Sequence, residues 1–201
     1  MIKNIIFDLS EVIISGFHKT EEIIEKNTNI KAEEFLAKRR EVEDIFLEAM
    51  KGKYTEDEYI ETLIKNTNWN VKKEIIKKSI RQNLDTKIEG TMKVIEKLKE
   101  KYNLILVSDH IQEWAEHILS TNKELEIFKS KYFSYEYGML KEDEGTFKYI
   151  LEKEKILPSE TIFIDDNITN VQMANRVGIQ GIIFENAKQL EKQLKEMDII
   201  L

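Results

Sequence analysis

The chain has no cysteine, one proline and only seven glycines among its 201 residues. Without cysteine it has no disulfide, no thiolate metal ligand and no thiol nucleophile. The scarcity of proline and glycine leaves little material for a long flexible linker and favours a helix-rich fold. The chemistry of the protein therefore has to come from oxygen and nitrogen side chains.

Basic residues and long apolar runs are also scarce. There are 31 Lys and Arg residues against 38 Asp and Glu, which gives a formal net charge of −7. This balance disfavours a nucleic-acid partner, because such binding depends on neutralising phosphates. No apolar run reaches the length of about 18 residues that a membrane span needs, and the N-terminal run is broken by Asp8. We predict a cytoplasmic protein that binds neither nucleic acid nor membrane, and the sequence leaves its oligomeric state open.

Three short apolar runs end abruptly in polar residues, which is typical of buried parallel strands. The runs cover 5–7, 104–107 and 162–164, and the polar residues that follow them are Asp8, Ser108, Asp109, Asp165, Asp166 and Asn167. In open α/β sheets, ligands bind outside the carboxyl ends of the strands. The three strand ends therefore predict one site at a common edge of the sheet.

Helices and strands alternate along the chain after residue 86. This alternation predicts a parallel sheet covered on both faces, an α/β three-layer Rossmann-like core. The predicted strands cover 103–109, 132–135, 161–165 and 181–184, and the predicted helices cover 91–101, 112–121, 146–154, 168–177 and 187–197.

The stretch 16–86 interrupts this alternation with apolar residues at helical spacing. It predicts helices over 20–26, 32–50, 55–65 and 71–84, with a capping box at Thr55 and Glu58 and a helix-ending glycine at Gly52. We therefore predict a discontinuous core formed by 1–15 and 87–201, with 16–86 as an all-helical insertion.

The acidic strand ends suggest a cation site. Asp8 could be a turn residue, and Asp165, Asp166 or Asn167 could cap the helix that follows them. One residue is enough to cap a helix, however, so capping does not account for all of these carboxylates. Crowded carboxylates need a cation, and oxygen ligands suit Mg²⁺, which commonly bridges to a substrate phosphate. A small phosphorylated metabolite is the predicted partner.

Four segments in chain order resemble the motifs of the haloacid dehalogenase superfamily. The strand that ends in Asp8 is similar to the first motif, 106–108 to the second, Lys141 to the third and 162–167 to the fourth. The resemblance implies a parallel-sheet core with a helical cap, for which the insertion 16–86 is the candidate.

The resemblance also implies roles for these residues. Asp8 would be the nucleophile that forms an aspartyl-phosphate, Ser108 would donate to the phosphoryl oxygens, and Lys141 would stabilise developing charge. Mg²⁺ would be held by Asp8, Asp165 and Asp166 with the backbone carbonyl of Ser10. Ser10 and Asp109 would line the phosphate pocket together with Ser108 and Lys141.

The chain departs from the motifs of the superfamily at Ser10. Phosphatases of the superfamily usually carry there a second Asp, which acts as general acid and base. Ser10 makes the chain most similar to a subgroup with a small residue at that place. Asp109 and Glu142 add negative charge near the predicted phosphate pocket.

These departures leave three hypotheses for the function. The first is a Mg²⁺-dependent phosphatase of a small cytoplasmic phosphate ester. The second is a catalytically weak or inactive protein of this fold that binds a ligand or partner. A metal-independent 2-haloacid dehalogenase ranks third, because the acidic pair Asp165 and Asp166 does not suit it.

A few other side chains are further candidates for the site. His18 and His110 could face it, Trp114 is predicted to fill a core, and a cap helix carries Glu43, Phe46 and Glu48 near the pocket.

Overall fold

A computed structural model of the protein describes residues 1–17, 19–65 and 67–199. Its strands are β1 (Asn4–Asp8), β2 (Asn103–Ser108), β3 (Ser130–Phe133), β4 (Thr161–Asp165) and β5 (Gln180–Ile183). They form one sheet in the order β3-β2-β1-β4-β5, and all neighbouring pairs are parallel. The predicted parallel sheet is confirmed, and β1 lies at its centre.

Helices cover both faces of this sheet. They are α1 (Thr20–Asn27), α2 (Ala32–Glu41), α3 (Glu43–Met50), α4 (Glu56–Ile64), α5 (Lys73–Leu84), α6 (Thr91–Leu98), α7 (Gln112–Thr121), α8 (Ser134–Tyr137), α9 (Glu144–Glu154), α10 (Ile168–Arg176) and α11 (Ala187–Glu196). None of the helices in the described residues is long and apolar enough to cross a bilayer.

Successive residues of the central strand point to opposite faces of the sheet. Ile5 and Phe7 pack in a cluster with residues of α6, α7 and α11, whereas Ile6 packs in a second cluster with residues of α9 and α10. The sheet is thus buried on both sides, which explains the unbroken apolar run before Asp8. The predicted three-layer α/β core is confirmed.

The described residues between β1 and α6 form the five helices α1 to α5. The chain leaves the core and returns to it at one place, where Ser15 N donates to Thr86 O at 2.7 Å and Ile88 N donates to Ile13 O at 2.9 Å. This pairing supports an insertion, although the division into a core and a cap at residues 15/16 and 86/87 stays a prediction.

The single helix predicted over 32–50 is wrong. The structure has two helices, α2 and α3, which meet at Val42, where φ is −118° and ψ is 24°. The last turn of α2 is basic and the first turn of α3 is acidic, as the dipoles of two separate helices favour. The charge pattern therefore marks the break that the apolar spacing conceals.

The strand predicted over 132–135 is also displaced. The structure ends β3 at Phe133 and begins the short helix α8 at Ser134. Glu136 Oε2 accepts a hydrogen bond from Phe133 N at 3.2 Å and so supports the first turn of the helix. The strand preference of the tyrosines in this stretch is overridden by local hydrogen bonding.

The local signals in the insertion agree with the structure. Thr55 N donates to Glu58 Oε2 at 2.8 Å and Glu58 N donates to Thr55 Oγ1 at 3.2 Å, so the predicted capping box is confirmed. Gly52 follows α3 with a φ of 78°, a conformation that glycine adopts without strain. The other predicted elements differ from the observed ones by a few residues at their ends.

Candidate active site

Asp8 lies at the C-terminal end of the central strand and is 2% exposed. Its Oδ1 accepts a hydrogen bond from Leu9 N at 2.7 Å and lies 2.6 Å from Lys141 Nζ. No described residue donates a hydrogen bond to Oδ2. Burial raises the pKa of Asp8 well above its ordinary range, and the Lys141 charge opposes this effect.

Lys141 is buried between two carboxylates, although most lysines are solvated. Its Nζ lies 2.6 Å from Asp8 Oδ1 and 2.9 Å from Asp165 Oδ2. Burial acts to lower the pKa of Lys141, but the charges of Asp165 and Asp8 outweigh it, so the pKa is raised. Lys141 is therefore a fixed positive charge beside the proposed nucleophile.

Asp165 has all of its carboxylate hydrogen-bonded to the protein. Oδ2 accepts from Lys141 Nζ at 2.9 Å and from Asn170 Nδ2 at 3.1 Å, and Oδ1 accepts from Asn167 N at 2.7 Å. Asn167 caps α10 by accepting from Thr169 N at 2.9 Å. The cap is thus supplied by Asn167, and Asp165 orients Lys141.

Asp166 is exposed, and among the described residues its own backbone N–H is the one donor to its carboxylate. One carboxylate oxygen from each of Asp8, Asp165 and Asp166 lies within 4.8 Å of the others. These three carboxylates and the one ammonium of Lys141 leave an excess of two negative charges.

This donor set fits Mg²⁺. The free oxygens belong to Asp8 and Asp166, and Mg²⁺ typically takes one or two carboxylates and keeps several waters. Both oxygens of Asp165 accept hydrogen bonds from the protein, and its predicted role as a ligand stays a prediction. The predicted contribution of the Ser10 carbonyl stays a prediction.

His110 connects the two serines of the predicted site. Its Nδ1 lies 2.9 Å from Ser108 Oγ and its Nε2 lies 3.3 Å from Ser10 Oγ. The imidazole is buried, and burial with the nearby Lys141 charge lowers its pKa to about 3. A neutral imidazole can accept from one hydroxyl and donate to the other, so His110 fixes the orientation of both.

Asp109 turns its carboxylate to the loop that carries Lys141. Both of its oxygens accept from Lys141 N, at 3.1 and 3.3 Å. Burial raises the pKa of Asp109 to about 6, and the Lys141 charge opposes this. Asp109 lines the cavity as predicted, whereas Glu142 is exposed and does not line it.

A cavity of about 270 Å³ lies above these residues. We call its polar side the floor, formed by Asp8, Ser108, Lys141 and Asp166. We call a second group of its lining residues the wall, formed by Phe17, Arg39, Phe46, Leu84 and Trp114. Phe17 stacks on Trp114 with ring centroids 5.2 Å apart. The site is therefore a small pocket with a charged floor and a mainly apolar wall.

More of the floor residues than of the wall residues were predicted from the sequence. Phe46 lines the cavity as predicted, whereas Glu43 and Glu48 do not line it. Trp114 is buried as predicted and also reaches the cavity. Arg39 was missed, although its position four residues after the buried Phe35 was the available signal. His18 lies outside the described residues.

The loop after β1 closes tightly around Ser10. Gly16 N donates to Glu11 Oε1 at 2.8 Å. A Cβ atom at Gly16 would lie 2.7 Å from Ser10 Cβ, closer than such atoms approach in proteins. Glycine is therefore required at this position while Ser10 has its present conformation.

A buried carboxylate on the central strand of a parallel sheet, beside a fixed lysine and a free acidic ligand, defines a hydrolase-type site for a cation and an anionic substrate. The comparison with protein families gives a concordant result. A family profile described as haloacid dehalogenase-like hydrolase matches residues 2–178, and the chain belongs to this family.

Relatives of known activity include phosphatases. The chain is 26% identical over 201 aligned residues to the D-ribitol-5-phosphate phosphatase of Bacteroides thetaiotaomicron, covering 96% of this chain and 97% of that one. It is 37% identical to the flavin mononucleotide hydrolase of Arabidopsis thaliana, but over only 62 residues, which are 31% of this chain and 25% of that one.

A solved structure of similar fold comes from the same bacterium. It is a haloacid dehalogenase family enzyme of Bacteroides thetaiotaomicron in complex with magnesium and inorganic phosphate, 27% identical, with a TM-score of 0.76 and coverage of 92% of this chain and 96% of that one. The predicted cofactor is thus confirmed in a relative of the chain.

Proposed function

We propose that this chain is a Mg²⁺-dependent phosphatase that hydrolyses a small phosphate ester through an aspartyl-phosphate on Asp8. The observation that carries the proposal is the state of the Asp8 carboxylate. One oxygen is held by Leu9 N and Lys141 Nζ, while the other has no donor among the described residues and belongs to a residue that lines the cavity.

The reaction would proceed in two displacements. A carboxylate oxygen of Asp8 attacks phosphorus, and the bond between phosphorus and the ester oxygen breaks. Water then attacks the aspartyl-phosphate, the bond between phosphorus and Asp8 breaks, and inorganic phosphate leaves. Lys141 would stabilise the negative charge that develops on the phosphoryl oxygens, and Ser108 would donate to one of them.

Mg²⁺ would be held by Asp8 and Asp166, with the carbonyl of Ser10 as the predicted third protein ligand. When bound, it supplies positive charge that favours ionised Asp8 and offsets the charge of the phosphate. Asp165 would hold Lys141 in place, and His110 would hold the hydroxyls of Ser10 and Ser108. A location in the cytoplasm stays a prediction.

Hydrolysis of a generic aryl phosphate tests this proposal. We expect the wild type to hydrolyse p-nitrophenyl phosphate with Mg²⁺, and to lose this activity on chelation. Asp8→Asn should lower kcat by more than about 10⁴-fold, because it removes the nucleophile without changing its size. Asp44→Asn, at an exposed position of α3, is the matched control and should leave kcat unchanged.

Turnover that survives in Asp8→Asn would remove Asp8 as the nucleophile. Turnover that is independent of Mg²⁺, or that releases halide from a 2-haloacid, would instead favour the dehalogenase hypothesis.

Ser10 gives the proposal a second and sharper test. A serine hydroxyl does not donate a proton to a leaving alkoxide near neutral pH, and an acid at this point commonly contributes about 10² to 10⁴-fold. We expect aryl phosphates, which have good leaving groups, to react far faster than alkyl phosphates. Ser10→Asp should raise kcat for alkyl esters by about 10²-fold and change the aryl rate little.

Ser10 also favours a second candidate function. A chain that lacks the acid could bind a phosphorylated ligand without turning it over. Mg²⁺-dependent binding of inorganic phosphate, together with no hydrolysis of either aryl or alkyl phosphates, would favour this binding protein over the phosphatase.

A further inference from the structure

We infer that the substrate carries a second anionic group, a carboxylate or a phosphate, and that Arg39 binds it. This inference rests on the proposed function, because the first anionic group is the phosphoryl group placed at Asp8. Arg39 would then be the residue that selects the substrate.

Arg39 stands out by the composition of the wall. The other residues that helices α1 to α5 contribute to the cavity are Phe46, Met50 and Leu84, and all three are apolar. Within the described parts of these helices, Arg39 is the one charged side chain that lines the cavity. A cation is therefore set among the apolar side chains that these helices contribute to the cavity.

The guanidinium of Arg39 has no carboxylate within 4.0 Å among the described residues, whereas nearby Lys38 is paired with Glu41 at 2.5 Å. Its Cζ lies 5.1 Å from the ring centroid of Phe17 and 5.5 Å from that of Phe46. These contacts place the guanidinium over both rings. The N–H groups at its edge, which form the fork that matches a carboxylate or phosphate, are left for a ligand.

An anion explains this arrangement better than a neutral hydroxyl. A guanidinium beside aromatic rings interacts with a charge through a poorly screening environment, so an anionic partner gains more there than in water. Lys141, the cation of the floor, lies against Asp8 and Asp165 and so belongs to the phosphoryl end of the substrate. Each end of the substrate would thus have its own positive partner.

The size of the cavity limits what lies between the two anionic groups. Its volume of about 270 Å³ is just below the range of about 300 to 1,000 Å³ typical of ligand pockets. A phosphoryl group at the floor leaves room for a short carbon chain. The predicted substrate class is therefore a short-chain phosphate ester with a distal carboxylate or phosphate.

Three substrates of matched length test the inference. They are 3-phosphoglycerate with a distal carboxylate, propane-1,3-diol bisphosphate with a distal phosphate, and glycerol 3-phosphate with no second anion. We expect kcat/KM to be at least about 10-fold higher for one of the two esters with a second anionic group than for glycerol 3-phosphate, mainly through a lower KM. The preferred ester tells which anion Arg39 receives.

Variants of Arg39 and of its neighbour separate recognition from structure. Arg39→Met should lower kcat/KM by about 10 to 100-fold for the preferred ester with a second anionic group. It should leave kcat/KM for glycerol 3-phosphate within about twofold. Arg39→Lys keeps the charge without the fork and should be intermediate. Arg40→Met is the control, because Arg40 is exposed on the same helix and does not line this cavity.

Calorimetric binding to Asp8→Asn gives a readout that needs no turnover. The preferred ester with a second anionic group should bind this variant in the presence of Mg²⁺. Adding Arg39→Met should weaken this binding by about 10 to 100-fold, the same factor as for kcat/KM. Equal kcat/KM for all three esters in the wild type, or an equal loss for all three in Arg39→Met, would overturn the inference. A wild type that hydrolyses p-nitrophenyl phosphate but shows no such preference contradicts this inference alone. A wild type that hydrolyses no phosphate ester contradicts the proposed function, and binding to Asp8→Asn then decides the role of Arg39 separately.

Discussion

The floor and the wall of the cavity are held in place in different ways. In the floor, Asp8, Ser108 and Asp166 lie at or directly after the ends of central strands. Lys141 comes from a loop and is held by buried ion pairs with Asp8 and Asp165. The wall comes largely from helices outside the sheet, whose positions depend on side-chain packing and on polar contacts with α7. The floor residues would therefore carry out the reaction, whereas the wall residues would determine which substrates bind.

One buried carboxylate joins the helical segment α1 to α5 to Trp114, the wall residue that α7 supplies. Glu56 at the start of α4 accepts from Arg81 Nη2 at 2.8 Å and from Trp114 Nε1 at 2.8 Å. Burial acts to raise the pKa of Glu56, but these donors outweigh it and lower the pKa. Trp114 belongs to α7 of the core, so this contact joins the helical segment to the layer that covers the sheet.

Replacement of the floor lysine should have the largest effect. Lys141→Met leaves Asp8 and Asp165 buried without their cation, which should lower the free energy of unfolding by about 3 to 5 kcal/mol in the absence of Mg²⁺. It should also lower kcat by about 10² to 10³-fold. Thermal unfolding and kinetics measure both, with the exposed Lys148→Met as control. An unchanged Tm would contradict the ion-paired floor.

A change at Glu56 should lower the stability of the protein without lowering its activity. Glu56→Gln weakens the contacts with Arg81 and Trp114 and should lower the free energy of unfolding by about 2 to 4 kcal/mol, as measured by urea denaturation. At a temperature where the variant is folded, kcat for p-nitrophenyl phosphate should stay within about twofold. Exposed Glu61→Gln is the control. A large loss of kcat in Glu56→Gln would show that the floor depends on the wall.

Within the floor, the two neighbouring acids should differ. Asp166→Asn should raise the Mg²⁺ concentration for half-maximal activity by about 10 to 100-fold. Because Asp166 is exposed, the stability of the metal-free protein should change by less than about 0.5 kcal/mol. Asp165→Asn should instead destabilise the metal-free protein, since it removes a partner of Lys141. An unchanged Mg²⁺ requirement in Asp166→Asn would exclude it as a ligand.

A further expected effect depends on pH and lies at Asp109, which lines the cavity. The pKa of Asp109 is raised to about 6, above the value of about 3.9 of an unfolded chain, so the folded state binds more protons between these values. Stability is thus lost as pH rises from about 4 to about 6. Asp109→Asn, whose amide oxygen can still accept from Lys141 N, should stabilise the protein by up to about 3 kcal/mol above pH 6.

Urea denaturation of Asp109→Asn at pH 4 and at pH 7.5 checks this sign. The stabilisation should be present at the higher pH and absent at the lower. A gain of equal size at both would show that Asp109 acts through packing instead of charge.

The difference between floor and wall also explains what the sequence could predict. Asp8, Ser108 and Asp165 each end an apolar run, and the parallel direction of the strands brings these ends to the same edge of the sheet. Lys141 lies on a loop and was placed by its position in the motif order. Its burial between two carboxylates is a tertiary contact that local pattern does not encode.

The helices of the wall were predicted less accurately from the sequence, because apolar spacing alone does not show where one helix ends and the next begins. The apolar spacing across 32–50 continues through Val42, so it does not reveal where α2 ends and α3 begins. An arginine on the apolar side of an amphipathic helix is ordinarily explained by its long aliphatic stem. The exposure of Arg39 to a cavity depends on the fold of several helices together.

The close contact between Gly16 and Ser10 has a consequence for how this chain can diverge. A side chain at position 16 meets Ser10 Cβ, and the hydrogen bond from Gly16 N to Glu11 holds the two segments at this distance. A descendant that replaces Gly16 therefore has to move the loop that carries Ser10, whereas a change of side chain at position 10 keeps the same Cβ atom and leaves this contact as it is. A lineage from this ancestor would more readily vary position 10 than position 16.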